Sequence, residues 1–163
     1  MTCSPAIPVD EEAMREEAAL ADRAMIAARA FAAARAMVGA RFRPQGCEPE
    51  TGLDCVGLVW AAYAAAGYGA VRPAAYPLRG WSEERIVAAL EEAGLRRVSG
   101  GAAVRAGDVA LLTLPARQFH LGLIGAHSVI HAHAGLRRVV EAPLEAAWRA
   151  AAHWHLAADG KER

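Results

Sequence analysis

The chain has 163 residues, with 18 basic and 18 acidic side chains and a formal net charge of zero. That length suits one domain with its own core, and the balanced charge argues against a nucleic-acid footprint or a polybasic membrane patch. No apolar run reaches the roughly 18 to 20 residues of a membrane span, so neither nucleic acid nor membrane is an expected partner.

Residues 1–9 read as a loose tail. Residues 1–19 lack a basic n-region and an apolar h-region and are acidic at Asp10, Glu11, Glu12, Glu16 and Glu17. No secretory signal is expected, and the protein is expected to be made in the cytoplasm. Asp10 can cap a helix that runs through Ala, Met and Leu to a stop at Gly39. Unbroken, it would be about 40 Å long, so it is expected to break or to project, and a projecting part would be a docking surface.

Residues 40–53, with Pro44, Gly46, Pro49 and Gly52, read as a loop. A helix follows at about 54–66, ended by Gly67. Its first residue is Cys55, behind Asp54 and ahead of an apolar run through Trp60 and Tyr63. A thiol on a first helical turn feels the positive end of the helix dipole, which favours its thiolate. Residues 67–81 form a loop with Tyr68, Tyr76 and Trp81, read as packing aromatics. Ser82 caps a third helix with Glu83 and Glu84 in its first turn and Gly94 beyond its end.

From Leu95 the pattern becomes that of strands: Leu95–Ser99, Val109–Leu114, His120–Ile124, Ser128–His133, Arg137–Glu141 and Ala151–Leu156. A helical turn or two is expected over Pro143–Trp148. Helices first and an antiparallel sheet second make an α+β arrangement.

The expected division is a tail and helical extension at 1–24, one domain at 25–157 and a C-terminal tail at 158–163. Three cysteines (Cys3, Cys47 and Cys55) cannot all pair, and in a reducing compartment none need do so.

If a hairpin turns at about Gly125-Ala126, His120 lies directly opposite His131. Cross-strand partners share a face, and His133 joins that face by the period of two. Were this face to pack on the start of the Cys55 helix, a nucleophile, a base and an orienting group would meet. The two His-x-His pairs, His131/His133 and His153/His155, could alternatively aim ring nitrogens at a metal. No carboxylate or second cysteine sits at ligand spacing, so no metal or cofactor is expected. His127 at the turn is expected to be solvated, and Asp108 to be a turn residue.

Five segments together resemble the NlpC/p60 cell-wall cysteine peptidases. They are Gly39-Ala40-Arg41-Phe42-Arg43-Pro44-Gln45-Gly46, Asp54-Cys55-Val56-Gly57-Leu58-Val59, Ala106-Gly107-Asp108-Val109, His120-Leu121-Gly122-Leu123-Ile124-Gly125 and Val129-Ile130-His131-Ala132. The run Val139-Val140-Glu141-Ala142-Pro143-Leu144 with Trp148-Arg149 is similar to the phage and gene-transfer-agent branch. The resemblance implies a papain-like NlpC/p60 fold, with the nucleophile helix packed on a C-terminal antiparallel sheet. It implies hydrolysis of peptidoglycan stem peptides, between D-glutamate and a diamino acid.

The resemblance further implies Cys55 as nucleophile, His120 as base and His131 as the third residue. It places Asp54, Phe42 and His133 on the substrate side, with Asp54 receiving the free amine of the stem. Relatives often carry tyrosine at Phe42 and serine at Val56, so this chain has fewer polar groups there. The implied setting is a phage-like tail, with tail proteins docking on the N-terminal helix and delivery to the wall in a particle or on lysis. Alternatives from other classes are a tail or scaffold protein that keeps the fold with little activity, an acyl or amide transferase, and a zinc hydrolase.

Overall fold

The structure is a computed structural model. It describes residues 11–69, 73, 82–98, 103–115 and 118–157. The loose tails, the Asp10 cap, Cys3, Tyr76 and Trp81 lie outside these residues.

Helix α1 spans Glu11–Ala36 without a break, and at about 1.5 Å per residue it is about 39 Å long. Ala is its commonest residue, and Glu11 and Glu12 complement the dipole at its start. Residues 11–18 are exposed, and the large apolar side chains of Met14, Leu20 and Met25 face solvent. Burial sets in at Ala27 and continues at Ala30, Phe31 and Ala34, a one-sided helical spacing.

The segment read as a loop over residues 40–53 contains a small sheet. Strand β1 (Cys47–Glu48) pairs antiparallel with β2 (Gly52–Leu53), and isolated bridges join Arg41 to Arg138 and Phe42 to Leu53. Gly52 holds a φ of 126°, which a side chain would resist. Strands of two residues carry no readable alternation, so the pattern gave no signal here.

Helix α2 (Cys55–Ala65) begins at an Asp54 N-cap, and its chain reverses at Gly67, with φ 87°. It is apolar nearly all round because it is buried on several sides, from Val56 to Trp60 and at Ala62 and Tyr63. Gly57 lets its first turn press against the Gly46 carbonyl, where any Cβ would collide. Helix α3 (Glu83–Glu92) has its N-cap at Ser82 and Gly94 beyond its end, as read from the sequence.

The main sheet contains β3 (Leu95–Arg97), β4 (Val109–Leu114), β5 (Gln118–Ile124), β6 (Ser128–His133), β7 (Arg138–Pro143) and β8 (Ala152–Leu156). The order is β3-β8-β4-β5-β6-β7, with antiparallel pairing throughout. The short helix α4 (Ala146–Ala150) precedes β8. The α+β reading therefore holds, with strand ends shifted by one or two residues.

The sheet has two covered faces. On one, Leu111, Leu121, Leu123, Ile130 and Ala132 form a core with Phe31 of α1 and the buried side of α2. On the other, Ala110, Ile124 and Val129 pack around Trp148 of α4.

The β5–β6 hairpin differs from the expected register. Ladder pairs are Leu123↔Ile130 and Ile124↔Val129, and Gly125 N–H donates to the Ser128 carbonyl at 2.7 Å. The turn residues are thus Ala126 and His127, both exposed. The offset from the sequence expectation is two residues, and the ladder pairs end at Leu123↔Ile130, short of His120 and His131. An even slip keeps every side chain on its face, so the two histidines still meet.

Candidate active site

Asp54 sets the start of α2. Its Oδ1 accepts from Gly57 N–H and its Oδ2 from Gln45 N–H, both at 2.7 Å. One carboxylate thus caps the helix and ties the preceding loop to it. The next residue, Cys55, is held by the backbone of Leu121 and by the first amides of its own helix, including Val56. Leu121 directly follows His120 in β5, which brings the thiol and the first histidine to one place.

His120 Nε2 and His131 Nδ1 lie 2.8 Å apart, within hydrogen-bond distance. The rings meet edge to face, with centroids at 5.0 Å and planes at 85°. His133 follows on the same face of β6, its ring 5.5 Å from that of His131. Its Nδ1 accepts the Leu136 N–H at 3.1 Å, which ties down the β6–β7 turn.

Cys55, His120, His131, His133, Phe42 and Trp148 all line one cavity of about 490 Å³. Asp54 lies in its wall too. All six site residues read from the sequence therefore border one space. The route to this arrangement differs from the expected one. Helix α2 covers the sheet face of Leu121 and Ile130, whereas the histidines belong to the opposite face, beside Trp148. The cysteine meets them through the Leu121 backbone instead of through face-on packing.

The electrostatics also correct the expectation of a favoured thiolate. Burial pushes the Cys55 thiol up to about 11, against the lowering pull of the Leu121, Val56 and Cys55 backbone, and the Asp54 carboxylate adds to the rise. Desolvation outweighs the helix terminus, so the resting group is a thiol. Burial likewise holds His120 down to about 3, with the neighbouring His131 and His133 adding to the effect. His131 is held down to about 4, by burial first and then by His133. The site at neutral pH is thus a neutral thiol beside neutral imidazoles.

The remaining polar candidates have structural partners. Cys47 is half-buried and its Sγ lies 3.9 Å from Glu48 Oε1. His153 is buried with Nε2 at 2.9 Å from the Trp148 carbonyl. Asp108 is buried and accepts the Arg105 N–H at 2.8 Å, closing the turn into β4. Tyr68 donates to the Ala93 carbonyl at 2.9 Å and packs edge-on against Tyr63. Among the described residues no group of three or more His, Cys, Asp or Glu is placed to hold a metal ion.

Trp148 also lines the cavity, and the sequence does not single it out. Its local sequence shows only a helical turn and part of a resembling run. Its place over the histidines depends on how α4 returns to the sheet, for which no local pattern exists.

No family model matches the chain, and no curated protein does. Solved structures do. The NlpC/p60 domain of the peptidoglycan hydrolase SagA is similar at a TM-score of 0.52 and 22% identity, over 79% of this chain and 97% of that one. The peptidoglycan hydrolase RipB from Mycobacterium tuberculosis is similar at a TM-score of 0.57 and 17% identity, over 95% of this chain and 74% of that one. An NLP/P60-family protein similar to lipoprotein, from Staphylococcus aureus, matches at a TM-score of 0.55 and 18% identity. This chain is covered to 96% in that match but spans only 45% of the staphylococcal chain. The fold is the papain-like NlpC/p60 fold.

Proposed function

We propose that the protein is a peptidoglycan hydrolase, a cysteine endopeptidase that cuts stem peptides between D-glutamate and a diamino acid. The observation that carries this reading is one cavity lined by Cys55, His120 and His131, with His120 Nε2 hydrogen-bonded to His131. Its fold neighbours that are named as peptidoglycan hydrolases support the substrate class.

In the proposed reaction His120 uses Nδ1, the nitrogen left over from its bond to His131. It takes the Cys55 proton as sulfur attacks the peptide carbonyl. With both groups neutral at rest, thiolate is generated in the act of attack. The imidazolium so formed keeps its Nε2–H on His131 Nδ1, which fixes the ring and stabilises the charge. The backbone N–H of Cys55 faces the developing oxyanion, and Phe42 offers no hydroxyl to assist it. Collapse expels the amine, which takes the proton from His120, and leaves an acyl-thioester on Cys55. Water then attacks the thioester with His120 as base, releasing the acid and the thiol.

Digestion of purified muropeptides by the wild type and by Cys55→Ala tests this. Release of the two stem fragments by the wild type alone is expected. Equal digestion by both proteins, or by neither, refutes it.

The reading includes a place in a phage- or gene-transfer-agent-like tail, with delivery to the wall in the particle or on lysis. The exposed part of α1 ahead of Ala27, with Met14, Leu20 and Met25 facing solvent, supports a tail protein as partner. Full-length protein is expected to co-sediment with tail particles, and a Met14→Ser, Leu20→Ser, Met25→Ser variant is expected not to. Equal sedimentation of both would remove α1 from that role. The same exposed helix favours the second reading, a tail or scaffold component that keeps the fold with little activity. Co-sedimentation without muropeptide cleavage is its expected signature.

A further inference from the structure

Trp148 has an unusual set of neighbours for a residue of a five-residue helix. Its ring centroid lies 5.7 Å from that of His120 and 5.3 Å from that of His131, at interplanar angles of 51° and 49°. It is 7% exposed and still borders the cavity. A Cβ on Gly122 would come within 3.0 Å of the indole Cη2 and Cζ3, and within 2.8 Å of Val129 Cγ2. Gly122 stands two residues after His120 on the same face of β5, so its missing side chain is the room the indole occupies.

The backbone of Trp148 is anchored as well. Its carbonyl lies in the last turn of α4, where carbonyls lack helical partners. His153 of β8 fills that need at 2.9 Å, and because a carbonyl only accepts, His153 Nε2 must carry the proton. A chain of contacts thus leads from β8 through α4 to the histidine pair.

We propose that Trp148 is a positioning residue for the His120–His131 pair, anchored by His153 and given room by Gly122. Its indole fixes both ring planes against rotation and shuts water off from their shared hydrogen bond. The titratable groups facing the pair are His133 on β6, Cys55 on α2 and the Asp54 carboxylate in the cavity wall. Trp148 is the neutral wall that completes their enclosure, and the low basicity of both imidazoles agrees with a dry setting.

The test is titration of the imidazole signals by NMR, which needs no substrate and so fails separately from the proposed reaction. In Trp148→Ala both imidazoles are expected to titrate upward by about one pH unit or more, as water reaches them. Trp148→Phe is expected to keep most of the depression. The acidic limb of kcat/KM should move upward by the same amount in the alanine variant, an effect that lost stability alone would not give. Should Trp148→Ala fail to fold, His153 provides the second arm. His153→Ala is expected to raise both imidazoles, and His153→Gln, whose amide can still donate to the carbonyl, to restore them. Unmoved imidazole titrations in folded Trp148→Ala, or in folded His153→Ala where that arm is used, overturn the proposal.

Discussion

His120 and His131 share a 2.8 Å contact between Nε2 and Nδ1 on neighbouring strands whose ladder pairs, Leu123↔Ile130 and Ile124↔Val129, reach neither residue. Two imidazole nitrogens this close require one to donate and one to accept, so each ring is confined to one tautomer while neutral. If His120 donates, its Nδ1 is a free acceptor, and His131 carries its own proton on Nε2.

His131→Ala is expected to lower kcat on muropeptides by about 10²-fold or more, because His120 loses both tautomer control and support for its charge. His131→Asn, which can still accept from Nε2–H, is expected to retain more activity than alanine does. Steady-state kinetics on one purified muropeptide decide it. Wild-type rates in His131→Ala would remove His131 from the mechanism.

Thiol alkylation by iodoacetamide should report the state of Cys55. An ordinary thiol has its midpoint at about 8.5, whereas burial pushes Cys55 up to about 11. Labelling of Cys55, followed by peptide mass spectrometry, is expected to be slow at neutral pH and to climb only toward that value. A midpoint near or below 8 would mean that the helix terminus outweighs burial after all.

The buried histidines impose a pH dependence on stability. Unfolded imidazoles protonate at about 6.5, while folded His120 and His131 do so only at about 3 and about 4. Below about 6.5 the unfolded chain therefore binds protons that the folded chain refuses, and stability falls as pH drops. The fall levels off once pH passes below the folded values. Urea midpoints between pH 7 and pH 4 are expected to decline more steeply for the wild type than for a His120→Gln, His131→Gln double variant. Parallel declines would show that other groups carry the acid sensitivity.

Asp54→Ala strips the acceptors from two backbone donors, Gly57 N–H and Gln45 N–H, at a site only 4% exposed. A stability loss of about 2–6 kcal/mol is expected, at about 1–3 per orphaned donor. Asp54→Asn keeps one carbonyl oxygen and should lose less. Urea denaturation measures both. A large fall in kcat/KM with unchanged stability would instead make the carboxylate chiefly a contact to the substrate amine.

Much of this architecture is written locally. Ser82 and Asp54 each cap a helix because a short oxygen-bearing side chain can reach the N–H three residues on. Val109–Leu114 and Ser128–His133 fall where the strands do because each apolar run is bounded by turn residues. The β1–β2 hairpin escaped because two-residue strands have no period. The β5–β6 register escaped because the two possible turns, at Gly125-Ala126 and at Ala126-His127, carry similar turn residues.

The sequence by itself determined which side chains could do chemistry: a cysteine at a helix start and histidines on alternating strand positions. The alternation is robust, since a slip of two residues leaves each histidine on its face. Only the tertiary structure decided how basic or acidic those groups are. The dipole at a helix start is a local property, but burial depends on everything packed around the site. Here burial wins, and Cys55 rests as a thiol while His120 and His131 stay neutral. The tertiary structure also decided that Trp148 lies over both imidazoles, because that contact joins residues whose separation in the chain no local pattern spans.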